Sequence, residues 1–240
     1  MSMSSRLQQG VFSALPGAQI PPLGYSASAW TGSEWLIWGG VALPLNLKET
    51  TPDAGAAYRP STSTWTSLPP APISGRQSAV SVWTGSEWII AGGVGSNGAA
   101  LTSTASFDPS LDRWSALPPM PDAPGPHAAA VWTGKEMIVV TGYSPGPGVP
   151  TGGSSAAEAY NPAARRWTLL PTPPGNLIFG QVHLAWSGSK LYVLRPPEGV
   201  LRRQTARRRP PGRGKSSTGE RQAGPHIGSD AILANRELLL

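Results

Sequence analysis

The sequence predicts an all-β protein assembled from repeated four-stranded antiparallel units, and three observations support this prediction. First, a motif that begins with Trp recurs four times along the 240 residues, at Trp30, Trp83, Trp132 and Trp186. Second, an aromatic residue followed seven positions later by Trp recurs three times between these motifs. Third, the 29 Gly and 27 Pro separate short β-rich apolar runs, as is typical of strands joined by turns. An internal repeat therefore organises the chain.

The repeat spacing is nearly constant. The leading Trp residues are 53, 49 and 54 residues apart, and the step from the Trp of each aromatic pair to the next leading Trp is 18, 18 and 19 residues. Counting 18 residues back from Trp30 reaches Phe12, so we expect the chain to begin with the last strand of a unit. The aromatic pairs are Tyr58 with Trp65, Phe107 with Trp114, and Tyr160 with Trp167.

One unit of about 50 residues contains four predicted strands. In the second unit these strands fall at residues 77–83, 88–91, 105–108 and 113–117. Four short antiparallel strands in so few residues are typical of a propeller blade rather than of a sandwich. We therefore predict three four-stranded blades within residues 26–170. Because blades stack face to face, we expect the six residues of the aromatic pairs to be mostly buried between them.

Further features recur in a fixed order within the units. A double Gly is followed by an aromatic residue with a turn that contains Pro, and then by Trp and Leu-Pro. In these features, residues 11–194 resemble the kelch repeat family of β-propellers, to which galactose oxidase also belongs. The third unit departs from the pattern with Thr141-Gly142, and the fourth with Arg195-Pro196. Since such propellers usually have about five to seven blades, the resemblance implies an incomplete or open ring with three full blades and partial blades at both ends.

Charge and composition divide the chain into three parts. We expect a flexible N-terminus at residues 1–10, kelch-like blades at 11–194 and a basic, disordered tail at 195–240. Residues 1–194 carry nine basic and nine acidic side chains, whereas the tail carries ten basic and four acidic ones. A nucleic-acid or anionic-membrane function is the less favoured interpretation of the tail, because it contains no aromatic residue on which bases could stack. The favoured interpretation is an incidental extension, such as that of a truncated or frame-shifted gene product.

Candidate ligand-binding residues lie ahead of the predicted innermost strands. Arg76, His127 and His183 form this set, with Tyr25 and Gln181 at nearly equivalent offsets. Residues that enter the inner strand of a propeller line its central channel, where ligands usually bind. The alternative, that all five are ordinary loop or strand residues, is favoured over a binding role.

The sequence gives little support for catalysis, and we assign no catalytic residue, metal site or cofactor. Absence of Cys excludes thiolate nucleophiles and Cys-ligated zinc. It also means that the Cys-containing cofactor implied by the resemblance to galactose oxidase cannot be carried over. Two histidines without a third ligand are a weak metal signal. Glu34, Glu87 and Glu136 recur once per unit in a Thr-Gly-X-Glu turn, which favours a structural role.

Two functions remain open at this stage. The favoured one is a non-catalytic kelch-repeat segment that binds a protein or a glycan; the other is a sugar-active enzyme resembling sialic acid mutarotases. Arg76 and His127 in one channel with a carboxylate within hydrogen-bond reach would favour the enzyme. We expect self-association through open blade edges, unless the strand at Phe12 pairs with residues 182–194 in a composite blade.

The sequence also bears on other partners and on the compartment. We expect no nucleic-acid partner and no membrane span, because no apolar run approaches the length of a transmembrane helix. No signal peptide is visible, so the chain as written is expected in the cytoplasm, or outside it if the true N-terminus is missing.

Overall fold

The computed structural model of the protein describes residues 3–6, 11–18, 20, 23–42, 51–141, 156–173 and 182–194. Within these ranges, no helix combines the length and the apolar character that crossing a membrane requires. The strands are β1 (Met3–Arg6), β2 (Val11–Ala14), β3 (Leu23–Gly24), β4 (Ala27–Trp30), β5 (Trp35–Trp38), β6 (Val41–Ala42), β7 (Gly55–Arg59), β8 (Thr64–Ser67), β9 (Val80–Trp83), β10 (Trp88–Ala91), β11 (Thr104–Asp108), β12 (Arg113–Leu117), β13 (Ala129–Trp132), β14 (Met137–Val140), β15 (Ala157–Asn161), β16 (Arg166–Leu170), β17 (His183–Trp186) and β18 (Leu191–Leu194).

Twelve of these strands form three antiparallel four-stranded sheets, which we call blades I, II and III. Blade I has the order β4-β5-β7-β8, blade II the order β9-β10-β11-β12, and blade III the order β13-β14-β15-β16. Strands β17 and β18 form a two-stranded sheet that we call partial blade IV, and β1 pairs with β2 in a separate sheet. The predicted fold class, all-β propeller blades in an incomplete ring, is confirmed.

The first hairpin of every blade is closed by the recurring Thr-Gly-X-Glu turn. In blade II, Thr84 accepts a hydrogen bond on Oγ1 from the Glu87 main-chain N at 2.9 Å. The Thr84 main-chain N donates to the Glu87 carbonyl oxygen, also at 2.9 Å. Gly85 has a φ of +105°, a conformation that side chains with a Cβ rarely adopt. The turn uses only the main chain of Glu87, so its side chain is available for other contacts.

The blades pack face to face, with a separate apolar cluster at each junction. The inner strands β4, β9, β13 and β17 lie side by side in that order. Side chains alternate between the two faces of a blade, since Val80 and Val82 pack toward blade III while Trp83 packs toward blade I. Trp38, Trp88 and Phe107 are buried between blades I and II, and Met137 and Tyr160 between blades II and III.

The pairs of blades II and III occupy these two junctions, and the pair Tyr58 and Trp65 lies on the face of blade I toward Pro16. Each pair lies side by side across the third and fourth strands, with ring centroids 5.0 to 5.2 Å apart. Trp65 and Trp167 are only half-buried, although Trp114, also on the fourth strand of its blade, is buried. The other four residues, Tyr58, Phe107, Trp114 and Tyr160, are buried.

Strand β2 occupies the outer position of a partial blade that precedes blade I. The indole Nε1 of Trp65 donates to the Pro16 carbonyl oxygen at 2.9 Å. Equivalent bonds join Trp114 to Pro69 and thus blade II to blade I. The strand expected at Phe12 is present as β2, but it is not the first strand, because β1 precedes it and pairs with it. Strand β1 lies within residues 1–10, and the flexibility of that segment remains a prediction.

The composite blade considered from the sequence is not formed by the described residues. Val11–Ala14 pairs with Met3–Arg6, whereas Leu191–Leu194 pairs with His183–Trp186 in a different sheet. Each of these strands pairs with the strand next to it in the sequence. Closing such a short loop costs less chain entropy than pairing strands from the two ends of the repeat region. The tail at 195–240 lies outside the described residues, so its disorder remains a prediction.

Candidate functional site

Each blade has two different ends because neighbouring strands are antiparallel. At one end lie the short turns at residues 84–87 and 109–112 of blade II; we call it the short-turn end. At the other end lie the longer connections at 92–103 and 118–128, which we call the long-loop end. Arg76 and His127 lie in connections at the long-loop end, and His183 begins β17 there. The candidates proposed from the sequence thus share one end of the protein.

Arg76 is buried, and all of its N–H donors are used within the protein. Nε donates to the Ser74 carbonyl oxygen at 2.9 Å. Nη1 donates to the carbonyl oxygens of Gly92 at 2.9 Å and Ser103 at 3.0 Å. Nη2 contacts the hydroxyls of Ser103 at 2.8 Å and Ser74 at 3.4 Å. The guanidinium therefore fastens the segment before blade II to both ends of the 92–103 loop.

The environment of Arg76 contains neutral hydrogen-bond acceptors. Burial lowers the pKa of Arg76 to about 10, so the side chain is still charged at neutral pH. Its bonds go to three carbonyl oxygens and two hydroxyls, and none of them goes to a carboxylate. A guanidinium held in this way is typical of a structural arginine, because no donor is left for a ligand.

A double glycine brings blade I against the main chain of Arg76. Gly40 donates from its main-chain N to the Arg76 carbonyl oxygen at 2.7 Å. A Cβ on Gly39 would lie 2.7 Å from that same oxygen, so no other residue fits. In blade III, Thr141 stands at the first position of this pair, and its Oγ1 accepts from the Ala156 N at 2.9 Å. At this position of blade III, a hydrogen bond within one loop thus takes the place of the close contact between blades.

Tyr25 and His127 lie at equivalent positions, five residues ahead of the leading Trp. Tyr25 is 67% exposed and has a φ of +56°, which for a bulky residue costs about 1–3 kcal/mol. Its carbonyl oxygen accepts from the Ser78 N at 2.9 Å, and that of half-buried His127 accepts from the Val182 N at 3.4 Å. Main-chain bonds therefore join neighbouring blades here, and Tyr25 is an exposed aromatic among the described residues of this end.

His183 lies on the open face of partial blade IV. Leu184 and Trp186 pack toward blade III, so by strand alternation His183 and Ala185 project from the opposite face, where both are exposed. His127 and His183 are brought near each other through the main chain at Val182, whereas the Arg76 side chain is committed to other partners. Gln181 lies outside the described residues. Within the described ranges, no group of three or more His, Asp or Glu side chains is arranged to hold a metal ion.

Glu158 is a buried carboxyl that the sequence reasoning missed. It has no exposed surface, and its Oε1 accepts from the Asp122 main-chain N at 3.0 Å. Its Oε2 has no partner among the described residues. Burial raises the pKa of Glu158 to about 7, with a smaller contribution from the charge of Asp122. An alignment of the three repeats could have identified Glu158, because the equivalent residues of blades I and II are Ala56 and Ala105.

Comparison with known proteins supports the fold and leaves the function open. No family model and no curated protein matches the sequence. Among solved structures, that of YjhT is similar, with a TM-score of 0.64, 18% sequence identity and coverage of 80% of this chain. The chain spans 64% of the length of that protein. At this identity, the likeness shows a shared arrangement of blades and no shared activity.

Proposed function

We propose that the chain is a non-catalytic kelch-type propeller segment that binds a protein or a glycan through its long-loop end. The observation that carries this proposal is the hydrogen bonding of Arg76, whose donors are all used to fasten blade II. An enzyme at this end would need a carboxylate within hydrogen-bond reach of Arg76 and His127. The described partners of Arg76 are neutral oxygen atoms, which favours a binding surface over acid–base chemistry.

Exposed side chains at the long-loop end supply the contacts for this function. Tyr25 presents an aromatic ring that is 67% exposed, held by a backbone conformation in which such residues are rare. The left-handed conformation itself belongs to the repeat, since Ser78 at the equivalent position of blade II has a φ of +54°. A large aromatic residue at a position that a short polar residue also fills favours a role in binding. His183 is exposed at the same end of partial blade IV. We infer that Tyr25 is the principal contact and that His183 adds a polar one.

The alternative function is a sugar-active enzyme resembling sialic acid mutarotases. Its best acid–base candidate is Glu158, because a pKa of about 7 suits proton transfer at neutral pH. Glu158 has no exposed surface, however, and its one hydrogen bond goes to a main-chain N. A substrate would reach it only after blades II and III separated, so we favour the binding function.

A screen with matched variants tests the proposal. The chain is exposed to a panel of defined glycans and to a displayed peptide library, and hits are titrated against Tyr25→Ala and His183→Ala. We expect Tyr25→Ala to weaken binding at least tenfold. The control is Leu111→Ala, which truncates a residue that is 60% exposed at the opposite end. Equal binding by all three variants would contradict the proposed surface.

A separate assay addresses catalysis. The interconversion of the anomers of N-acetylneuraminic acid is followed by NMR with and without the chain. We expect the spontaneous rate in both samples. Acceleration in proportion to protein concentration would overturn the non-catalytic assignment and favour the alternative.

A further inference from the structure

A cleft of about 630 Å³ opens at the short-turn end, between blades II and III. Most of its lining comes from the turns of this end, with Leu117 of β12 as an exception, and none of Arg76, His127, His183 and Tyr25 lines it. Its volume is in the range of small-molecule sites. The side chains that matter for its chemistry are Glu87 from blade II and Trp132, Lys135, Asn161 and Arg165 from blade III.

The repeat itself shows that this cleft has an unusual charge. The junction of blades I and II has the same construction, so each cleft residue has an equivalent there. Ser86 is the equivalent of Lys135, Asp108 of Asn161, and Asp112 of Arg165. Each replacement makes the cleft between blades II and III more positive. A structural turn needs no such change, since the other junction keeps the same hairpins with acidic or neutral residues.

The charged groups of the cleft have no ionic partners among the described residues. Within those ranges the one ion pair joins Arg59 to Glu34. In blade I, Glu34 pairs with Arg59, the residue that follows Tyr58. In blade II the residue at the corresponding position, after Phe107, is the acidic Asp108, so Glu87 has no cation there. Asp108 instead accepts from the Ser110 N at 2.8 Å. The Glu87 carboxylate is thus left for another contact.

Arg165 is held at the cleft at an energetic cost. It has a φ of +48°, at a turn position where the other blades have Ser63 and Asp112. Short polar residues tolerate this left-handed conformation better than a long side chain does. The guanidinium donates from Nη2 to the Ala116 carbonyl oxygen at 3.3 Å, which leaves other donors free for a ligand. An arginine at this position favours recognition of an anion, because its planar group matches a carboxylate.

An aromatic side chain and an amide complete the wall of the cleft. Trp132 is half-buried, so part of its ring is open to the cleft. Asn161 donates one amide N–H to Glu136 at 3.1 Å and retains a second. The combination of a partly open indole, a free amide donor, a free carboxylate and two cations suits a ring with an apolar C–H face, hydroxyl groups and an anionic substituent.

We propose that the cleft between blades II and III binds an acidic sugar residue, with Lys135 and Arg165 pairing with its carboxylate. The ring lies against Trp132, while Glu87 and Asn161 bond its hydroxyls. The inference goes beyond the proposed function, because it names a ligand class and adds a second site at the opposite end of the blades.

Titration of the chain with D-glucuronate and a glucuronate-containing disaccharide, followed by NMR or calorimetry, tests this inference. D-glucose is the neutral control ligand. Lys135→Ser and Arg165→Asp install the residues of the other junction, so both variants are compatible with the turn geometry. We expect each to weaken glucuronate binding at least tenfold. Lys190→Ser, which removes an exposed lysine from the β17–β18 turn, should leave binding unchanged.

Several outcomes would overturn the inference, and they are separable from failure of the proposed function. Equal affinity for glucose and glucuronate, or full affinity in both cleft variants, would show that no carboxylate site exists there. Loss of glucuronate binding in Tyr25→Ala alone would move the ligand to the long-loop end and leave the proposed function intact. Absence of any glucuronate binding would refute the cleft site, whereas the screen with Tyr25→Ala would still decide the proposed function.

Discussion

The indole Nε1 of Trp114 donates a hydrogen bond to the Pro69 carbonyl oxygen, 3.0 Å away, and this bond crosses from blade II to the segment that leaves blade I. The same bond joins Trp65 to Pro16 and Trp167 to Pro118, at 2.9 Å in both cases. The recurring Trp and Leu-Pro motifs are therefore parts of one interaction, in which each blade is fastened to the one before it. Proline suits the acceptor position because its own nitrogen donates no competing bond.

Trp167→Phe should measure how much this hydrogen bond between blades contributes to stability. The variant keeps an aromatic ring but loses the bond to Pro118, and we expect it to lower the free energy of unfolding by about 1–2 kcal/mol. Urea denaturation followed by circular dichroism gives the value. Trp83→Phe is the matched control, because Trp83 also packs between blades but its indole makes no hydrogen bond among the described residues. A loss no larger than that of the control would mean that the bond contributes nothing.

Substitution of Arg76 should affect stability far more than it affects recognition. Arg76→Met removes the charge and leaves the Gly92 and Ser103 carbonyl oxygens without their donor. We expect a loss of about 3–5 kcal/mol in urea denaturation, as for other broken networks of buried polar groups. Arg76→Lys should recover little, because a single ammonium cannot reproduce the planar fork. Unchanged stability together with lost ligand binding would instead make Arg76 a binding residue, the role for which its position in the sequence made it a candidate.

The buried Glu158 should make stability depend on pH. Its pKa in the folded protein is about 7 against an ordinary 4.5, so the folded state holds the proton more tightly than the unfolded state does. The favourable contribution is complete below pH 4.5 and is lost as the pH rises through 7. The loss is on the order of 3 kcal/mol. Glu158→Gln retains an acceptor for the Asp122 N and does not ionise.

Denaturation of the wild-type and Glu158→Gln proteins at about pH 5 and about pH 8, on either side of the raised pKa, provides the test. We expect the wild type to be less stable at the higher pH and the variant to lose most of this difference. Asp53→Asn serves as the control for removal of an acidic group elsewhere. An identical pH dependence in wild type and Glu158→Gln would show that Glu158 does not titrate in this range.

Tyr160→Phe should stabilise the protein. The Tyr160 hydroxyl is buried and has no hydrogen-bond partner among the described residues, and its equivalent in blade II is Phe107. Removing an unpaired buried hydroxyl should raise the free energy of unfolding by about 1 kcal/mol. Tyr58→Phe in blade I is the comparison, since that hydroxyl is not among the buried unpaired groups. A destabilised Tyr160→Phe would indicate a hydrogen bond that ordered water supplies.

The sequence was sufficient for the strands and insufficient for the polar contacts, and particular residues show why. Trp30, Trp83 and Trp132 placed the blades correctly, because periodic packing leaves a periodic pattern. The partners of Arg76 could not be predicted, since its acceptors at Gly92 and Ser103 are 16 and 27 residues away and depend on the path of a loop. Glu158 was visible only by comparison with its alanine equivalents in blades I and II, a departure from the repeat rather than a motif.

Self-association remains the expected consequence of the open ring. Ala27 and Ala29 pack toward blade II, so Trp30 lies on the other face of blade I, where it is 52% exposed. Leu194, 59% exposed on β18, lies at the opposite end of the series of blades. An exposed aromatic on a blade face that only the partial blade of β1 and β2 adjoins favours contact with a second copy, which would exclude water from both.

Sedimentation of the full chain over a wide range of concentration should therefore show a rising average mass. Trp30→Glu should shift this association to at least tenfold higher concentration, because it places a charge on the open face. Leu111→Glu introduces the same charge at a turn of blade II that is 60% exposed, and should leave the association unchanged. A single monomeric species at every concentration would mean that the open face is covered within one chain, and Trp30 would then have no role in assembly.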